Sequence, residues 1–248
     1  MYLLGDIGNT EVKICLFNKN KKLLKKIKFE TNLITNKFLI KKLSSMKLKK
    51  YIIKKVIFCS VVPMVYVKMK NILKNKFNLN TLELKNLSLS KLINIKVNKK
   101  QIGSDRLSNA LSVIDNKNNF IIIDFGTATT FDVVIKNHYL GGIISPGINL
   151  SLKTLISKAS MIPKVELKSI NKVLGKNTLE AVRSGFYWGY SGLIENIIQK
   201  IVKQTKKKYK IILTGGLSYL FKKSLPYNIT INRNLTINGL LKVVHLKN

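Results

Sequence analysis

Two short stretches of the chain carry residue types that do phosphate chemistry. One is DIGNT, residues 6–10, and the other is DFGTATT, residues 124–130. Each closes an apolar run with an aspartate, places a glycine two residues on, and follows it with threonine. Glycine lets a backbone approach a ligand closely and turn with positive φ. Successive turn amides form an anion nest, and threonine hydroxyls add donors. An aspartate beside a phosphate repels it directly, so it normally holds a cation that bridges the two. Two such loops facing each other across a cleft would clamp the phosphates of a nucleotide. One loop alone reads as an ordinary hairpin with turn-favouring residues. The pair, each with an acid at the end of its strand, favours phosphate binding.

The elements that must hold these loops are visible on either side of them. YLLGDIGNTEVKICLF (2–17) reads as strand, tight turn, strand, with Val12, Ile14 and Leu16 alternating against Lys13, Cys15 and Phe17. FIIIDFGTATTFDVVI (120–135) has the same form, and Asp6 and Asp124 lie nearly half the chain apart. That repeat points to two domains of similar build, each opening with a β-hairpin. A further apolar strand meets a glycine turn at 210–221. Helices are expected over 36–47, over 104–116 from a Ser104 start, and over 177–204. The last has an Asn177 cap and Glu180 three residues on, a capping-box-like start. Residues 229–244 read as a short strand and a final helix or strand. The polar stretch DNKNN (115–119) marks the boundary, giving expected domains 1–117 and 118–248.

Composition bounds the function. The chain has 248 residues, 46% of them hydrophobic, enough to bury a sizeable core. Its net charge is +34, but only Arg106, Arg183 and Arg233 among the 45 basic residues are arginine. Lysines scattered among many Ile and Asn residues fit an A- and T-rich coding bias. A dedicated nucleic-acid surface would concentrate arginine and aromatics, so no nucleic-acid partner is expected. The amino terminus lacks the basic stretch of a signal peptide, and the longest apolar run, 56–67, contains Pro63 and is too short to span a bilayer. No membrane partner and a cytoplasmic location are therefore expected. Cys15 and Cys59 read as buried free thiols. His138 and His245 have no ligand-spaced partners, so no zinc site is expected.

The paired loops resemble the phosphate motifs of the acetate and sugar kinase/actin superfamily, whose domains are ribonuclease H-like. More closely, DIGNTEVKICLF, GSDRLSNA, DFGTATTFDVV, YLGGIISPGI, NTLEAVRSGFYWG and ILTGGLSYL resemble successive motifs of type III pantothenate kinase. They occur in the family's order across most of the chain, and 18–95 contributes little. The resemblance implies an α/β protein of two ribonuclease H-like domains, with mixed β-sheets flanked by helices and an ATP cleft between them. It implies ATP-dependent phosphorylation of pantothenate to 4′-phosphopantothenate, the first step of coenzyme A biosynthesis.

Roles follow from the same resemblance. The loop of Asp6, Ile7, Gly8, Asn9, Thr10, Glu11, Val12 and Lys13 would bind ATP, with Asp6 toward magnesium. Thr127 would contact ATP, and Asp124 would hold a monovalent cation, potassium or ammonium. Gly103, Ser104, Asp105 and Arg106 would bind substrate. On the residues alone, Ser-Asp-Arg reads as a helix amino terminus with a favourable acid and an incidental ion pair. Within the family pattern, Asp105 takes the proton of the attacking hydroxyl, and the planar fork of Arg106 suits the pantothenate carboxylate. Thr178 would complete the pocket of a neighbouring subunit in a homodimer. Ser184, Gly185, Gly189 and Gly192 would let another helix approach, in that dimer or within one chain. One departure stands out. Lys96 and Lys99 occupy the family's usual aromatic and proline positions, with Asn98 kept. Other readings are a kinase for another small hydroxy compound, or a basic nucleic-acid-binding or regulatory protein on the same fold.

Overall fold

The alternation at 2–17 forms a hairpin of β1 (Tyr2–Ile7) and β2 (Glu11–Phe17), antiparallel with Asp6 opposite Lys13. This is the first element of a computed structural model that describes residues 1–246. The described chain divides into two units, Met1–Ile114 together with 234–246, and Asp115–Arg233.

In the first unit, β3 (Leu23–Glu30) continues the meander beside β2, and α1 (Asn36–Ser45) follows. The Thr35 side chain caps α1 by accepting from Phe38 N at 3.2 Å. The apolar run at 56–67 is not one element. Its first part is β4 (Lys55–Ser60), parallel to β1, and Pro63 then starts α2 (Pro63–Phe77). Proline suits that position because its missing N–H is one a helix start leaves unbonded anyway. Short strands β5 (Leu82–Glu83) and β6 (Asn94–Ile95) precede α3 (Ser104–Val113). The sheet order is β3-β2-β1-β4-β5. One face, with Leu3, Ile7, Val12, Ile14, Leu16 and Phe58, packs on Leu39 and Leu43 of α1 and Met69 and Leu73 of α2. Each such fully buried side chain contributes about 1.5–3 kcal/mol of transfer free energy.

The second unit repeats this order. β7 (Asn119–Phe125), β8 (Ala128–Ile135) and β9 (His138–Pro146) form the antiparallel meander. α4 (Ile148–Lys158) and the 28-residue α5 (Thr178–Thr205) come next. Then β10 (Lys210–Gly215) runs parallel to β7, and β11 (Ile229–Ile231) runs parallel to β10. Within the unit the strand order is β9-β8-β7-β10-β11, matching the first unit strand for strand. Ile121, Ile123, Phe131 and Leu213 meet Tyr187, Ile194, Ile198 and Ile201, a stripe at helical spacing along α5.

The carboxyl end differs from the expected division. The final helix, α6 (Leu235–Val243), belongs with the first unit and packs along α3. A Cβ on Gly239 would lie 1.8 Å from the Ser108 carbonyl oxygen, so only glycine permits this approach. Ser108 Oγ donates to Thr236 O at 2.7 Å, and Thr236 Oγ1 pairs with Asn109 Oδ1 at 2.9 Å, which satisfies the polar groups buried in the contact. Among the described residues, no helix is long and apolar enough to cross a membrane.

Candidate functional site

In the first unit the 6–13 loop is a tight hairpin turn. Gly8 N donates to Glu11 O at 3.0 Å, leaving Asn9 and Thr10 exposed at the tip. Thr31 ties the turn down, donating from Oγ1 to Gly8 O at 2.7 Å and from its amide to Thr10 O at 2.9 Å. Ile7 and Val12 are fully buried in the core, so they offer a ligand only main chain. Glu11 pairs with Lys28 at 2.5 Å. Asp6 lies one residue before the end of β1, with Cys59 as its parallel neighbour on β4. The Cys59 thiol donates to Asp6 Oδ1 at 3.5 Å. Burial first, then the charges of Asp6 and Asp105 and further that of Glu83, push the Cys59 thiol well above its ordinary range. It therefore stays neutral, a donor rather than a nucleophile. Asp6 touches this thiol at the carboxyl end of β1, and Glu83 stands at the end of β5, the strand beside Cys59's own β4.

The GSDR segment begins α3 as expected. Gly103 is the cap residue, with no side-chain cap bond, and Asp105 lies in the first turn. Asp105 Oδ1 accepts from Arg106 N at 2.7 Å. A Cβ on Gly103 would sit 2.5 Å from that same oxygen, so glycine leaves the space the carboxylate occupies. Burial raises the Asp105 pKa; the Arg106 amide, then the Arg106 charge, pull partly the other way. The buried Ser104 hydroxyl turns inward and donates to Glu83 Oε1 at 2.5 Å. Glu83 lies outside the expected site, and nothing in the run LELKN marked it. Lys96 is exposed, and Asn98 Oδ1 accepts from Lys100 N at 3.0 Å in the adjoining turn.

In the second unit, Gly126 N donates to Ala128 O at 3.0 Å, which presents Gly126 and Thr127 to solvent. Asp124 again lies one residue before the strand end, opposite Thr130 on β8 and beside Thr214 on β10. Two glycines crowd this turn. A Cβ on Gly147 would lie 2.1 Å from Thr127 O. Gly215 has φ +84°, and its Cβ would lie 2.5 Å from Phe125 O and 2.7 Å from Asp124 Oδ1. Thr130 Oγ1 is buried with no hydrogen-bond partner. Directly opposite residues of an antiparallel pair share a face, so that hydroxyl and the Asp124 carboxylate point to the same side. Phe125 O and Asp124 Oδ1 both lie beside Gly215, and hard oxygen donors of this kind suit a hard cation. Among the described residues, no group of three His, Cys, Asp or Glu is placed to hold a metal ion.

Thr178 is exposed at the first position of α5. The helix start is capped as its sequence predicts, with Asn177 Oδ1 accepting from Glu180 N at 2.9 Å. Glu180 Oε2 in turn accepts from Lys176 N at 2.9 Å, which more than its other contacts holds the Glu180 carboxyl below its usual range. A pocket of about 340 Å³ lies beside this turn, lined by Leu174, Gly175, Glu180 and Arg183 among others, but not by Thr178. Further along α5, Ser184 is buried and its hydroxyl donates to Val173 O. Gly185, Gly189 and Gly192 have no atom within 4 Å of where a Cβ would stand. Among the described residues, no helix covers them.

Comparison with known proteins adds to this geometry. The family model for type III pantothenate kinase matches residues 2–200. A type III pantothenate kinase of Pelagibacter ubique (strain HTCC1062) is 54% identical over 246 residues, covering 99% of this chain and 99% of that one. Among solved structures, a Campylobacter jejuni chain described as a conserved member of the Baf family of transcriptional activators superposes with a TM-score of 0.61 at 20% identity, covering 98% of this chain and 96% of that one. A Cytophaga hutchinsonii chain described as a sugar kinase gives 0.52 at 16% identity, covering 98% and 99%. At those identities the two structures speak to the fold alone: two mixed sheets flanked by helices, as expected.

The raised pKa of Asp105 has a stability consequence. Its folded pKa lies above the unfolded value of about 3.9, so the fold loses stability as pH rises through the folded pKa. Asp105→Asn keeps an acceptor for the Arg106 amide and removes the buried charge. Thermal unfolding should give a higher midpoint than the parent at pH 7, with the difference shrinking toward pH 3. A lower midpoint at pH 7 would mean that the Arg106 interactions outweigh desolvation.

Proposed function

The chain belongs to the type III pantothenate kinase family, and we propose that Asp105 accepts the proton in the phosphoryl transfer it catalyses. The reaction moves the γ-phosphoryl of ATP, with a divalent cation, to the hydroxyl of pantothenate, giving 4′-phosphopantothenate on the way to coenzyme A. As the hydroxyl oxygen bonds to the γ-phosphorus and the bond to the β-phosphate oxygen breaks, Asp105 takes the hydroxyl proton and ADP leaves. The observation that carries this reading is the Asp105 carboxylate itself. It is held at a helix amino terminus by the Arg106 amide, and burial makes it a better proton acceptor. Phosphoryl transfer otherwise rests on positioning and charge, which suits a site with so few reactive side chains. The Arg106 guanidinium takes the pantothenate carboxylate, with Gly103 leaving room beside it.

The exposed turn tip, with Asn9 and Thr10, and Lys13 take ATP phosphates, and Asp6 takes the divalent ion. Thr127 contacts the nucleotide. Asp124, helped by Phe125 O, holds a monovalent cation. The open face of Gly185, Gly189 and Gly192 supports a homodimer, with Thr178 reaching the partner's pantothenate site. The same unit exposes Ile144, Leu150, Met161 and Leu174, and burying these apolar side chains would favour association. The enzyme acts in the cytoplasm, the compartment that supplies its ATP.

Three experiments test this. An ATP-consumption assay with pantothenate should show Asp105→Asn losing about 10²–10⁴ in kcat while remaining folded. Turnover within a few-fold of the parent would remove Asp105 from the role. Replacing sodium by potassium or ammonium at constant ionic strength should raise the rate, and Asp124→Asn should flatten that response; a parent enzyme indifferent to the ion would contradict the site. Finally, Gly189→Arg puts bulk where the single chain has open space, so it should leave the fold intact and halve the mass seen by light scattering. An unchanged dimer mass would rule out this face.

A further inference from the structure

Asp105 does the chemistry in the reading above, but its helix starts weakly. No side chain caps α3. The bond that fixes its first residue comes from elsewhere, from Glu83 at the end of β5. Glu83 Oε1 accepts from the Ser104 hydroxyl at 2.5 Å, and Oε2 accepts from Lys85 N at 2.5 Å. The second bond matters because it holds the carboxylate against its own backbone. That backbone is itself fixed: Glu83 is in register with Phe58 on β4, and Leu84, next in line, is fully buried. Ser104 is almost fully buried, so water does not compete for its hydroxyl. A hydrogen bond to an ionised acceptor is about twice as strong as a neutral one.

We propose that Glu83 is a positioning residue for phosphoryl transfer: through the Ser104 hydroxyl it pins the first turn of α3 to the sheet and so sets where the Asp105 carboxylate stands. α3 is then held at two points, at its start by Glu83 and along its length by the close contact of Ser108 with Gly239 of α6. Ser104 thus acts inward, through its side chain on Glu83, rather than toward substrate. Glu83 also lies near two groups that stay neutral beside it. It adds to the burial that lifts Cys59, and burial first and Glu83 second push Tyr66 up to about 12. A misplacement of about 1 Å of a reacting group can cost on the order of 10²-fold in rate, so a single lost anchor is enough to matter.

The inference rests on Asp105 as the proton acceptor, and the test separates the two. Ser104→Ala removes one oxygen, and Glu83→Ala removes its acceptor. Each should lower kcat about 10- to 100-fold, the range a displaced reacting group allows, with KM for ATP unchanged. The double variant should lose no more than either single one, because both remove the same bond. Glu83→Gln keeps an acceptor oxygen for Ser104 but gives up the bond from Lys85 N, and should recover part of the loss. Hydrogen exchange of the amides at 104–107 should quicken in Ser104→Ala with the rest of the chain unchanged, a readout independent of turnover. A Ser104→Ala enzyme within twofold of the parent kcat would overturn the proposal, as would losses that multiply in the double variant. Asp105→Asn is assayed alongside. If it retains turnover, the base reading fails while the exchange data still report the anchor. If it is inactive and Ser104→Ala is not, the anchor alone fails. Should Glu83→Ala not fold, Ser104→Ala decides.

Discussion

Asp6 and Asp124 each stand one residue before the end of a strand bonded on both sides, antiparallel to the next strand and parallel to a later one. A slip of one residue in either ladder would turn the carboxylate to the other face and bring core side chains out in its place. The apolar neighbours resist that slip. Leu3, Leu4 and Ile7 around Asp6, and Ile121, Ile122 and Ile123 before Asp124, are buried whichever face they occupy. Buried central strands therefore hold two carboxylates at fixed heights, where strands stop and turns leave main chain open to a ligand.

Around each acid, glycine makes the room. In the second unit, Gly215 and Gly147 let main-chain oxygens close in on the turn that carries Asp124 and Thr127. In the first, Gly103 leaves space for the Asp105 carboxylate, and Gly5 accepts the Phe58 ring where a Cβ would lie 1.9 Å from it. The candidate site residues are few, and most of the adaptation is in what has been left out beside them. Keeping Asp105 half-buried destabilises its ionised form, and the fold offsets that with the Arg106 amide, the Glu83–Ser104 bond and the α3–α6 contact.

Much of this was written in local sequence. The hairpins at 2–17 and 120–135 follow from alternation and a glycine-bearing turn, and each depends on residues within a dozen positions of one another. The helix starts at Asn36, Ser104 and Thr178 follow from helical spacing and, at Asn177, a capping side chain two to three residues from the amide it serves. The repeat of Asp-x-Gly with threonine behind it marked both strand ends as candidates for phosphate and cation binding before any sheet was in view. Even the division of the 56–67 run carried a local sign in Pro63, although its even hydrophobicity hid where strand gives way to helix.

Other features lay beyond local reading, because they join residues far apart in the chain. The return of α6 to the first unit depends on a glycine at 239 meeting a carbonyl at 108. Glu83 and Ser104 meet only once β5 lies beside β4. The inward turn of the Ser104 hydroxyl and the neutral thiol among three carboxylates likewise depend on which strand ends become neighbours. By itself the sequence determined which segments could be strands, turns and helices, and which side chains were available for phosphate, cation and proton, because those properties are set within a few residues. Only the tertiary structure decided which of those side chains stand open at the turns and which serve the fold, because that depends on long-range packing between buried groups, where a single Cβ or a single acceptor changes the outcome.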